Sequence, residues 1–121
     1  MRVLLWHVHG SWTTAFVQGR HEYLIPVTPD RGPDGLGRAR TWSWPAAAVE
    51  VTREEAAAAE VDVVVLQRPH ELGGLAEEWL GRRRPGREVP AVYLEHNAPQ
   101  GRINELRHVA ADRDDLVVVH V

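Results

Sequence analysis

The chain contains no cysteine and no lysine. Without cysteine there is no disulfide, no thiolate nucleophile and no Cys-ligated zinc, which fits a cytoplasmic setting. Without lysine, all 14 basic residues are arginine, and Schiff-base or Walker-type lysine chemistry is excluded within these residues. No apolar run approaches the roughly 20 residues that span a bilayer. The opening "MRVLLWHVHG" has a single basic residue and too short an apolar run for a signal peptide. No transmembrane segment is therefore expected. The formal net charge of −3 argues against a broad electrostatic grip on nucleic acid. The basic cluster "RRRPGR" at 82–87 reads first as a solvated helix end and only second as a nucleic-acid patch.

What remains is ordinary globular composition in a chain of 121 residues, enough for one domain that buries roughly two-thirds of its unfolded surface. "RVLLWHV" is apolar on both faces, as a buried parallel strand should be. Ser11 can cap a short helix over "WTTAFVQG", stopped by Gly19. "EYLIPV" reads as a second strand, with Pro26 restricted to a strand end or a sheet edge. Residues 28–45, punctuated by prolines 29, 33 and 45 and glycines 32, 35 and 37, form a long loop of the kind that is usually functional or mobile. "VEV" at 49–51 is a candidate edge strand. Thr52 and Glu55 make a capping box that opens a helix through the alanine run.

"VDVVVLQ", 61–67, is the clearest strand. The segment 71–82 then places Leu72, Leu75, Ala76, Trp79 and Leu80 on one helical face, with the arginines at its negative end and Pro85 and Gly86 as stops. "VPAVYLEHN", "PQGRINELRH" and "DLVVVHV" complete the pattern as strand, helix and strand. This alternation predicts an α/β fold: a Rossmann-like, doubly wound, mostly parallel sheet of about six strands in the order 3-2-1-4-5-6, with helices on both faces. The crossover from the second strand to "VEV" lacks a helix.

Five of the seven histidines fall at or just beyond the carboxyl ends of proposed strands: His7, His9, His70, His96 and His120. Ligands of open parallel sheets bind outside those ends, at the point where strand order reverses. Here that point lies between strands one and four, flanked by "HVHGSW" and "QRPHE", with "EHNAPQG" adjacent. Polarity must begin where a strand ends, so each histidine also has a purely structural reading, and His7 reads as part of the packing. His7, His9 and a third group such as His96 would suit a metal-dependent hydrolase, but the pair straddles the strand end and no second ligand pair follows, so no metal is expected. Backbone amides after Gly10 can hold an oxyanion or a sugar hydroxyl. Trp42 and Trp44 either stack on a sugar or pack the long loop down.

The stretches "MRVLLWHVHGSW", "VVVLQRPHEL", "VYLEHNAPQGRINELRH" and "DLVVVHV", taken in order, resemble the amino-terminal, acceptor-binding domain of a GT-B glycosyltransferase, of the family-4-like type found in actinobacteria. The similarity covers essentially the whole chain. It implies that residues 1–121 are a single Rossmann-like domain, that His96 contacts the transferred sugar as the catalytic residue, and that His9, Gly10, Ser11 and Trp12 line the acceptor cleft. Arg68, His70, Asn97 and Arg102 join them as rim residues for acceptor or phosphate. The complete enzyme would transfer a hexosyl-type sugar from a nucleotide-sugar donor to a sugar or small-molecule acceptor. The donor would be held by a carboxyl-terminal domain missing from this chain, which itself would need no cofactor and would be inactive alone. The competing expectation is a Rossmann-like ligand-binding or interaction module without catalysis.

Overall fold

In a computed structural model of the protein, which describes residues 1–8, 11–39, 44–95 and 115–120, six strands form one open, all-parallel sheet. They are β1 (Arg2–Leu5), β2 (Glu22–Pro26), β3 (Ala48–Val51), β4 (Val63–Leu66), β5 (Ala91–Glu95) and β6 (Val117–His120), in the order β3-β2-β1-β4-β5-β6. This is the expected Rossmann-like order. Leu4 lies opposite Leu24 on one side and Val64 on the other, so β1 sits at the centre between two apolar neighbours.

The strand pleat explains why "RVLLW" is apolar throughout. Successive side chains point to opposite faces. Val3 and Leu5 pack with Val17, Tyr23, Ile25 and Trp44 beneath helix α1 (Ser11–Phe16). Leu4 and Trp6 pack with Ala56, Leu66, Ala76, Trp79 and Tyr93 beneath α2 (Arg53–Ala58) and α3 (Ala76–Trp79). Both faces of the central strands are covered, and burying each of these large side chains contributes about 1.5–3 kcal/mol.

The local signals act as their chemistry requires. The Thr52 hydroxyl accepts from the Glu55 amide at 3.2 Å, and the Glu55 carboxylate accepts from the Thr52 amide at 2.9 Å. Pro26 closes β2, where its missing N–H costs nothing and its carbonyl still accepts from Gly37 at 3.0 Å. Arg83 donates to the Leu80 carbonyl at 2.7 Å and to those of Ala56 and Ala57 at 3.3 Å. One cation thus satisfies the negative ends of two helices. Arg84 pairs with Glu88, and Arg87 with Asp115. Much of the "RRRPGR" charge is therefore spent inside the fold.

Two elements differ from expectation. The helix over 71–82 is divided: a kinked turn over Glu71–Leu75 precedes α3, because Gly74 takes a φ of 143° that no helix accommodates. Its inward face includes Ala76, Trp79 and Leu80 as expected. It also includes Glu71, which is fully buried, while Leu72 and Leu75 are only partly so. The second difference is the long loop. Residues 26–37 form a hairpin, with Val27 bridged antiparallel to Leu36 and the Thr28 amide donating to Gly35 at 3.1 Å. The expected helix at "PQGRINELRH" lies outside the described residues. Among the described residues, no helix is long and apolar enough to cross a membrane.

Candidate functional site

The carboxyl ends of β1 and β4 are tied together just past the last strand residues. The Gln67 side chain donates to the Trp6 carbonyl at 3.0 Å. From there the chain turns through Arg68 and His70 into Glu71, whose two oxygens accept from the Gln67 amide at 2.8 Å and from Arg68 Nε at 2.5 Å. Burial pushes the Glu71 carboxyl above its ordinary pKa, while the Gln67 amide and Arg68 pull the other way. A carboxylate shut away from water needs this cation beside it.

Arg68 also faces outward. Its Nη1 reaches Asp34 Oδ1 at 3.0 Å and the Pro33 carbonyl at 3.1 Å. His70 Nε2 donates to the same Asp34 oxygen at 2.8 Å. The hydrogen bond from His70, followed by the charge of Arg68, holds the Asp34 carboxyl below the usual carboxylate range. Arg68 Nη2 is buried and has no hydrogen-bond acceptor among the described residues. Asp34 belongs to the hairpin, so the chain's own loop reaches across the switch point and rests on it.

The hairpin's base is fastened separately. Arg31 grips Glu50 of β3 with both terminal nitrogens, at 2.7 and 3.2 Å, and also donates to the Leu36 carbonyl. The Arg38 amide adds a third hydrogen bond to Glu50 at 3.0 Å. Arg31 holds the Glu50 carboxyl below its ordinary pKa. Gly37 has a φ of 68°, and a Cβ there would collide with the Glu50 carboxylate and the Arg31 guanidinium. Only glycine meets both demands. His7 Nδ1 lies 2.9 Å from the Gly37 carbonyl, and its ring packs edge-on to Trp44 at 4.9 Å. Between His7 and the hairpin is an open cavity of about 510 Å³, lined also by Pro29, Asp30, Arg31, Leu36, Arg38 and Ala39. That is within the range of small-molecule sites, roughly 300–1,000 Å³.

Of the residues singled out from sequence, Arg68 and His70 come together on one carboxylate. Trp12 stands on α1, its ring stacked on Phe16 at 4.8 Å and packed against the Val3–Leu5 side of the core. Ser11 opens α1. His9, Gly10, His96, Asn97 and Arg102 lie outside the described residues, as does Trp42. Trp44 packs the loop down: it is buried, and its indole nitrogen donates to Thr14 at 3.0 Å.

Asp34, Glu71, Arg31 and Glu50 escaped the sequence reading. The Arg68–Glu71 pair had a signal, since charges three apart at a helix start are neighbours. Asp34 had none, because "PDG" reads as turn chemistry. Among the described residues, no group of three or more His, Cys, Asp or Glu side chains is placed to hold a metal ion. No protein-family model, no curated protein and no solved structure matches this chain. Function must be argued from the site itself.

Proposed function

We propose that this chain is the acceptor-binding, Rossmann-like unit of a nucleotide-sugar-dependent glycosyltransferase of the GT-B architecture, working in the cytoplasm with a second unit that holds the donor. The observation that carries the reading is the convergence of polar groups at the switch point. His7 follows β1 and lines a cavity of ligand size, and Arg68 and His70 follow β4. β5 ends at Glu95, next to β4 in the sheet and immediately before His96. The resemblance carried by "HVHGSW", "QRPHEL" and "EHNAPQG" supports the same assignment.

The chemistry suits these residue types. Glycosyl transfer passes through an oxocarbenium-like state and needs oriented polar contacts to hydroxyls. In this reading His96 orients or deprotonates a hydroxyl at the reacting centre, and the rim residues position the acceptor. General acid–base and positioning groups of this kind contribute typically 10²–10⁴-fold.

The test is a transfer assay on the complete gene product, offered a panel of nucleotide sugars with sugar and small-molecule acceptors. Nucleotide release that requires acceptor, and falls at least about 100-fold in His96→Ala with folding intact, is the expected result. Acceptor binding without turnover of any donor would replace this reading with that of a non-catalytic binding module.

A further inference from the structure

We propose that Arg68 and His70 form a binding site for a phosphomonoester, held shut in this structure by the carboxylate of Asp34. Donors and acceptors are mismatched at this rim. Arg68 spends Nε on the buried Glu71. Its two terminal nitrogens remain as a fork, the arrangement that takes carboxylates and phosphates bidentately. Asp34 uses that fork poorly. One oxygen, Oδ1, receives both Arg68 Nη1 and His70 Nε2, and Nη2 is buried with no acceptor among the described residues. A buried guanidinium nitrogen without a partner costs free energy that a better anion recovers.

The carboxylate already in place thus shows what a carboxylate leaves undone. A phosphomonoester offers three terminal oxygens, one for each of Nη1, Nη2 and His70 Nε2. Asp34 is also easily displaced. Its side chain is 46% exposed and that of His70 is 52% exposed, and pairs this open to water hold weakly. Glu71 keeps Arg68 in position from behind whether or not Asp34 is bound. The site's position past β4, at the switch point, is where a parallel sheet presents ligands. Assigning this phosphate to the acceptor rests on the glycosyltransferase reading; the phosphate site itself does not.

The experiment titrates inorganic phosphate into the 121-residue chain at pH 7 and low ionic strength, following heat and the His70 ring resonances. An internal competitor lowers apparent affinity by the fraction of time the site is open, so Asp34→Ala should bind phosphate about tenfold more tightly than the native chain. Asp34→Asn, which keeps the side chain's size, should move the same way. Acetate should bind several-fold more weakly than phosphate, and adding His70→Gln to Asp34→Ala should reverse most of the gain.

Two further probes identify the source. Glucose 6-phosphate should compete with inorganic phosphate in Asp34→Ala, and vesicles carrying phosphatidate should not. Equal phosphate affinity in the native chain and both Asp34 variants would overturn the proposal. So would a gain that leaves the His70 resonances unmoved or survives His70→Gln, or competition by the vesicles alone. Failure here leaves the transfer assay and His96 untouched. Failure of transfer leaves phosphate binding measurable.

Discussion

The hairpin over the rim is fastened at two places, and the fastenings are built differently. At the base, Arg31 and Glu50 meet through two nitrogens and two oxygens, the Arg38 amide adds a third hydrogen bond, and Gly37 lets the backbone press against the pair. At the tip, one exposed oxygen of Asp34 carries two donors, Arg68 also donates to the Pro33 carbonyl, and a buried arginine nitrogen has no acceptor among the described residues. The base is saturated and close to its sheet; the tip is open to water and under-satisfied. Multidentate, shielded pairs hold a geometry, whereas exposed single-oxygen contacts contribute little to stability. On the proposal above, the hairpin is held at Glu50 and releasable at Asp34.

Arg68 joins the tip to the core, so its loss gives the largest effect. Arg68→Ala removes the only ion-pair partner of the buried Glu71 among the described residues. Breaking such a pair costs about 3–5 kcal/mol. Urea unfolding should show that loss, and Arg68→Ala/Glu71→Gln should recover most of it by removing the stranded charge. A loss below about 1 kcal/mol would mean that Glu71 is held neutral and owes little to Arg68. At the base, Gly37→Val forces a side chain into a left-handed backbone and against the Glu50 carboxylate. Strain of this kind costs roughly 1–3 kcal/mol, and hydrogen-exchange protection at the Thr28 amide should fall with it. Full protection at Thr28 would show that the hairpin does not depend on its base.

This contrast also marks how far the sequence could be read. The sheet was legible because its signals are local and redundant. The alternation of Val3, Leu4, Leu5 and Trp6 onto two faces, the Thr52–Glu55 box and Pro26 at a strand end each follow from neighbours a few residues away. Strand order then follows from connectivity rules. The rim was legible only as a location: Arg68 and His70 were placed at the switch point, but not their partner. Asp34 lies some 35 residues before them, in a proline- and glycine-rich stretch whose residue types specify turns and not destinations. The same holds for Arg31 and Glu50, which no periodicity links. Glu71 was hidden by the opposite fault. A helical pattern built on leucines assigns a charge to the outside, and Gly74 broke the helix that the pattern assumed.

Base and tip should also respond differently to pH, even though both carboxyls sit below the ordinary range. A carboxyl with a lowered pKa in the folded state contributes stability above its unfolded pKa, about 4.3 for glutamate. That contribution is lost as pH falls through the folded value. Glu50 is the more shielded, 30% exposed against 46% for Asp34. Glu50→Gln should cost about 1–2 kcal/mol at pH 7 and flatten the acid limb of the stability curve below about pH 4. Asp34→Asn should cost less than about 1 kcal/mol at pH 7 and barely alter that limb. Glu71 runs with the opposite sign. Its raised pKa makes the folded state bind the extra proton, so stability falls as pH rises through the interval between unfolded and folded values. Equilibrium unfolding from pH 3 to 8 separates all three. If Asp34→Asn flattened the acid limb as much as Glu50→Gln, the tip would be a structural lock like the base, and the hairpin would have no releasable end.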